Sequence, residues 1–183
     1  MASAKTGSFY LTESVTLPAA APAGTFVQGE LDLSSYVNVP TGQAIAIDQV
    51  DFIAQDGSAY AQYAGGMLAG NGSIDMQLTD LNPGTVLIRA DDNSLISSGA
   101  LNIDTVNNIV SNEVDIYPDN FGPSALSEMF LCVNDTLYFV ARNSNSAVGA
   151  QDLSITVRVR ARVVKLGTKD WMAIAIQSTA SDN

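Results

Sequence analysis

Histidine is absent from this chain, cysteine and tryptophan occur once each, and only 3 of the 183 residues are lysine. Each shortage removes a class of function. Without imidazole there is no Ser-His-Asp triad, no Cys-His pair and no histidine-bound metal. A lone thiol, Cys132, builds no internal disulfide framework. Its setting, Met129-Phe130-Leu131-Cys132-Val133, is that of a buried structural thiol, and zinc would find no further soft ligands. No stretch reaches the roughly 18 consecutive apolar residues of a membrane-spanning helix. Met1–Gly7 carries one lysine and no apolar core, so a secretory leader is not expected there. Gly65-Gly66 is not followed by the Lys-Ser/Thr pair of a phosphate-cradling loop.

What is abundant is acid. There are 15 Asp and 4 Glu against 5 Arg and 3 Lys, for a net charge of −11. Such a chain is a poor direct partner for nucleic acid, whose phosphates need lysine and arginine to release counterions. Charge far from zero keeps copies apart. The preference for Asp over Glu, with lysine nearly missing, further suggests a high-salt habitat in which repulsion is screened. A carboxylate pair facing a sugar is compatible with 19 acids, but no pair stands out. Asp91-Asp92-Asn93 reads as a solvated turn before it reads as a calcium site, because the spaced acids of an EF-hand loop are missing. No cofactor, metal or small-molecule substrate is expected.

Strand signals recur along most of the chain. In Ser8–Leu17, Tyr10, Thr12, Ser14 and Thr16 fall on one face and Phe9, Leu11 and Val15 on the other, with Glu13 interrupting the apolar side. Pro18 and Pro22 break that strand, and Thr25–Leu33 is a second. After a turn at Pro40-Thr41-Gly42, Gln43–Gln55 is a third strand whose phase switches near Asp48, which predicts a bulge or bend there. Asp56–Gly72 reads as a loop or weak helix, Ser73–Asp80 as a strand, Asn82-Pro83-Gly84 as a turn and Thr85–Ala90 as a short strand. The spacing of Leu101, Ile103, Val106, Ile109 and Val110 suggests a short helix. Asn112–Tyr117 is a candidate strand, Pro118–Pro123 a loop, and Ala125–Val133 is ambiguous. Thr136–Asn143 has the composition of a strand buried on both faces.

The best signal is Asp152–Leu166. Leu153, Ile155, Val157, Val159, Ala161 and Val163 alternate with Ser154, Thr156, Arg158, Arg160 and Arg162. Lys169–Gln177 follows as a short apolar, helical tail. About eight strands without βαβ alternation predict an all-β, eight-stranded single jelly-roll sandwich with a short C-terminal helix or arm. No internal repeat or domain boundary is visible, so one domain is expected over 1–183, with 168–183 as its tail.

Three features are candidates for contact with other subunits. The stripe Arg158, Arg160 and Arg162 is either a solvated or cross-strand-paired face, or an ion-paired contact with an acidic neighbour. Tyr60 and Tyr63, in the long loop, are residues of the type enriched at interfaces. Trp171 lies in a tail that either folds back onto the core or swaps onto a neighbour.

With the strands Ser8–Leu17 and Gln43–Gln55, the long Asp152–Leu166 strand with its Val-Arg-Val-Arg-Ala-Arg centre, and the tail, the chain resembles a known family. These are the small single jelly-roll major capsid proteins of tailless icosahedral viruses with an internal membrane. The acid-rich, lysine-poor composition points to the branch infecting halophilic archaea. The resemblance is architectural, since the family has no catalytic signature to match. It implies a capsid protein of the virion, not an enzyme, that pairs with itself or with a second, larger jelly-roll subunit to form capsomers near the internal viral membrane. The alternative reading is a β-sandwich that binds carbohydrate or attaches to a host; the single tryptophan, placed in the tail, counts against it.

Overall fold

The computed structural model of the chain describes residues 3–57, 59–114 and 130–179. Its strands are β1 (Ser3–Ala4), β2 (Phe9–Leu17), β3 (Phe26–Asp32), β4 (Gln43–Asp56), β5 (Gly72–Thr79), β6 (Leu95–Asp104), β7 (Ile109–Val114), β8 (Phe130–Cys132), β9 (Thr136–Ser144) and β10 (Leu153–Lys165). A helix, α1 (Thr168–Thr179), follows. The expected loop at Pro118–Pro123, residues 115–117 of the expected strand Asn112–Tyr117, and residues 125–129 lie outside the described residues.

All pairings are antiparallel and fall into two sheets. In the first, β10 is central: β2 and β1 lie end to end along one edge of it, and β4 then β8 lie on the other. The second runs β3-β9-β5-β6-β7. Leaving out β1 and β7, the orders are β2-β10-β4-β8 and β3-β9-β5-β6. The chain crosses between the sheets at β2 to β3, β3 to β4 and β4 to β5, and again at β7 to β8, β8 to β9 and β9 to β10. This is the paired Greek-key order of a jelly roll.

The core follows from alternation. Leu153, Ile155, Val157, Val159 and Ala161 of β10 are fully buried, as are Ile74, Leu78, Leu137 and Phe139 of the facing sheet. The rings of Phe52 and Phe139 stack across the two layers with centroids 5.8 Å apart. Where β2 nears β3, a Cβ at Gly29 would sit 2.8 Å from Val15 Cγ1, so glycine sets how closely the layers approach.

The phase switch in β4 is a β-bulge. Arg160 pairs with Gln49 and Ala161 with Ile47, which leaves Asp48 as the extra residue. Ile45 and Ile47 before the bulge and Val50 after it therefore all reach the core.

Two expectations are corrected. Leu101–Val110 is not a helix but the β6–β7 hairpin. Asp104 turns the chain: its Oδ1 accepts from the amides of Val106 and Asn107, and its Oδ2 from Asn107 Nδ2. Asn108 follows at φ 54°, which asparagine tolerates well. Thr85–Ala90 forms no strand. It runs along the outside of the second sheet, where the Gln77 side chain substitutes for a ladder. Its Nε2 donates to Ile88 O at 2.9 Å, and its Oε1 accepts from Ile88 N at 2.8 Å. The turn before this segment accepts from Gln28 Nε2 at Asn82 Oδ1, and Val140, between Gln28 and Gln77 in the sheet, is buried although it is outside the main core cluster.

Candidate contact surface and cleft

The outer face of the first sheet gathers most of the candidate residues. Cross-strand register puts Arg160 beside Tyr10 and Gln49, Arg158 beside Thr12 and Asp51, Thr156 beside Ser14 and Ile53, and Ser154 beside Thr16 and Gln55. These residues come from β2, β10 and β4, strands far apart in sequence.

The arginine stripe divides into three environments. Arg162 is occupied within its own chain: its Nη2 lies 2.8 Å from Asp48 Oδ1, with its side chain 14% exposed and that of Asp48 fully buried. Ser8 Oγ donates to the other Asp48 oxygen at 3.0 Å. Asp48 is the unpaired residue of the bulge and shares the outer face with Ala44 and Ala46, beside the arginine. Arg160 is half-buried, and its Nε is buried with no hydrogen-bond partner among the described residues. Arg158 is exposed, with its guanidinium 4.9 Å from the centroid of the Tyr10 ring, itself 53% exposed. Tyr10 was not singled out from the sequence; alternation placed it outward, but only the β2–β10 register places it under Arg158.

Trp171 lies at the other end of this face. Beyond the bulge the outward residues turn apolar, and Ala44, Ala46 and Val164 form a small second core with Val133 and Leu166. Trp171, Ile174 and Ala175 of α1 pack on it, so the tail is a helix folded back onto its own sheet. The opposite side of α1 leaves Met172 and Ile176 more than half exposed.

Tyr60 and Tyr63 are both exposed, in the β4–β5 loop. Tyr63 folds over Gly65, where a Cβ would sit 2.7 Å from the tyrosine hydroxyl. Tyr60, at φ 54°, is held by Gln55, whose Nε2 donates to its carbonyl at 2.8 Å. It borders an open cleft of about 560 Å³ with Ser14, Thr16, Gln151, Asp152 and Ser154. Neither the cleft nor these polar residues were foreseen, since three loops and two strands must meet to make it.

The titratable groups with displaced pKa values lie away from this face. Burial, with the charges of Asp80 and Asp135, pushes the Cys132 thiol up to about 12 against the weaker pull of a hydrogen bond to the Asn134 backbone. The carboxyls of Asp32, Asp92 and Asp104 lie below their usual value, held down by hydrogen bonds from Ser34, Ser94 and Asn107 in their own turns. Among the described residues there is no group of three or more Cys, Asp or Glu side chains placed to hold a metal ion. No helix among them is long and apolar enough to cross a membrane.

No known protein family matches the sequence, and no curated protein matches it. Among solved structures the chain is similar to one from desmodium yellow mottle tymovirus, with a TM-score of 0.31, 10% sequence identity, and coverage of 88% of this chain and 91% of that one. The jelly-roll assignment rests on the strand order described above.

Proposed function

We propose that this chain is a structural subunit of a viral capsid that assembles with copies of itself. The observation that carries the reading is the strand order, β2-β10-β4-β8 against β3-β9-β5-β6. Capsid subunits are among the principal users of this double Greek key. A shell subunit needs a stiff body and broad lateral surfaces. Here the long β10 is clamped on both edges, and the outer face of its sheet presents Tyr10 and Arg158. Tyrosine and arginine are the residue types that dominate interface energies.

Charge sets the condition for assembly. With 19 acids and 8 bases, copies repel one another at low salt. The screening length falls from about 10 Å at 0.1 M to about 3 Å at 1 M, so close approach is favoured in brine. This composition supports a halophilic host, while an archaeal virus with an icosahedral shell over an internal membrane is what the family resemblance implies. A second, larger jelly-roll partner subunit and residence in the virion belong to the same proposal. Tyr60, Tyr63 and the exposed side of α1 are its further contact candidates.

Light scattering and negative-stain microscopy of the purified chain from low to multimolar salt test it. Hexamers, rings or shells that grow with salt are the expected result. A monomer at every salt concentration, with candidate partner subunits present, would sink self-assembly as the function.

A further inference from the structure

We propose that the cleft beside Tyr60 is a binding site for a neutral saccharide. At about 560 Å³ it falls within the range of roughly 300–1,000 Å³ typical of small-ligand sites. Three loops and the sheet face converge on it: Ala19 after β2, Gly57 and Tyr60 after β4, and Ala150 to Asp152 before β10, above Ser14, Thr16 and Ser154.

Its chemistry narrows the ligand. No lysine or arginine lines it, in a chain of net charge −11, so phosphate, sulfate and sialic acid are disfavoured. Asp152 is the only carboxylate in the lining, too few for a calcium ion that takes six to eight oxygens. Hydroxyl, amide and carboxylate groups on the floor and one wall disfavour a hydrocarbon. What remains is a molecule with hydroxyl edges and an apolar C–H face. The exposed ring of Tyr60 offers the complement to that face.

The site is also prearranged. Asp152 Oδ1 accepts from Ala19 N at 2.8 Å, which fixes the carboxylate and leaves its second oxygen for a ligand hydroxyl. The Asp152 carbonyl accepts from Gly57 N at 3.0 Å, tying the two loops together. Tyr60 is held from both sides, by its amide to Gly57 O and by Gln55 to its carbonyl. By contrast, the Thr16 and Ser154 hydroxyls and the Gln151 amide make no side-chain hydrogen bond among the described residues. Thr16 and Ser154 are direct cross-strand neighbours on the cleft floor. Fixed supports with free polar ends are what a preorganised binding site requires.

The test uses the full chain at low salt, with light scattering identifying the monomer on which binding is read, so that its outcome is independent of the capsid reading. Saturation-transfer NMR with free glucose, galactose, mannose and N-acetylglucosamine is paired with an array bearing the same sugars as glycan termini, alongside sialylated and sulfated ones. Transfer to a neutral sugar supports a free-saccharide ligand, and binding on the array alone supports a surface-borne glycan. Either must weaken roughly tenfold or more in Tyr60→Ala. It must weaken likewise in Asp152→Asn, which keeps an acceptor for Ala19, with circular dichroism confirming that both variants fold. No neutral sugar bound at about 10 mM, a range that detects even millimolar affinity, would overturn the proposal. So would preference for anionic glycans, or binding unchanged in both variants.

Discussion

Arg162 and Asp48, 114 residues apart in the chain, form an ion pair 2.8 Å long beneath the surface of the first sheet. Asp48 is the extra residue of the β4 bulge, and its carboxylate reaches Arg162 diagonally, past the directly paired Ala46. Such a pair adds little net stability over an apolar filling, but removing one partner strands a buried charge. Arg162→Met, which strands the fully buried Asp48 carboxylate, is therefore expected to cost about 3–5 kcal/mol in urea unfolding, and Arg162→Met combined with Asp48→Ala to recover much of the loss. A single variant losing under about 1 kcal/mol would mean that water or a proton reaches the Asp48 carboxylate once the arginine is gone.

Cys132 should be inert in the native state. The thiolate is the reactive form, and burial keeps it protonated up to about 12. A chromogenic disulfide reagent at pH 8 is expected to label it only as fast as the fold opens, and at once in denaturant. The linkage has a sign: a thiol whose folded pKa is raised binds its proton more tightly in the folded state. Stability is thus unaffected below its ordinary value of 9.0 and falls as pH rises from there toward about 12. Rapid stoichiometric labelling of native protein at pH 8 would contradict the burial.

At the acid end the three turn carboxylates act in the opposite direction. Asp32, Asp92 and Asp104 are held below 3.8 by hydrogen bonds from Ser34, Ser94 and Asn107. Their contribution is complete above 3.8 and disappears as pH falls through their lower folded values. Carbon-detected NMR titration should find all three below 3.8, and Asn107→Ala should move Asp104 back up. Being exposed, these groups shape the acid limb gently and do not by themselves drive unfolding.

Gly149 is expected to tolerate no side chain. A Cβ there would lie 2.0 Å from the Gly66 carbonyl oxygen, in a crossing tied by Gly149 N to Met67 O at 2.9 Å. Gly149→Ala must push the β4–β5 and β9–β10 loops apart, at a cost of about 1–3 kcal/mol. Gly7→Ala, with nothing within 4 Å of its Cβ, is the control and should leave the melting temperature unchanged.

If the outer face of the first sheet is an assembly surface, its exposed pair should control assembly and not folding. Tyr10→Ala with Arg158→Ala is expected to change unfolding free energy by less than about 1 kcal/mol while raising the salt or protein concentration at which large species appear. Unaltered assembly in light scattering would move the contact to the loops or to α1.

The sequence by itself determined the strands whose pattern is local. The two-residue alternation of β10 and the apolar run of β9 need no partner to be recognised, and the phase switch at Asp48 is visible because a bulge shifts side-chain parity within one strand. Charge and the missing histidine likewise limited the chemistry before any fold was known. The hairpin at Leu101–Val110 was misread because β6, a turn and β7 together imitate helical spacing, with Val106 in fact at the exposed tip. Thr85–Ala90 has the apolar composition of a strand, but the Ile88 backbone is paired by the Gln77 side chain in place of a neighbouring strand, which composition does not reveal. Which arginine is buried, which tyrosine lies beneath a guanidinium, and which polar residues border one cleft were decided only by tertiary structure. Those facts depend on the register between strands more than 100 residues apart, and alternation within a strand gives each side chain its face but not its neighbour.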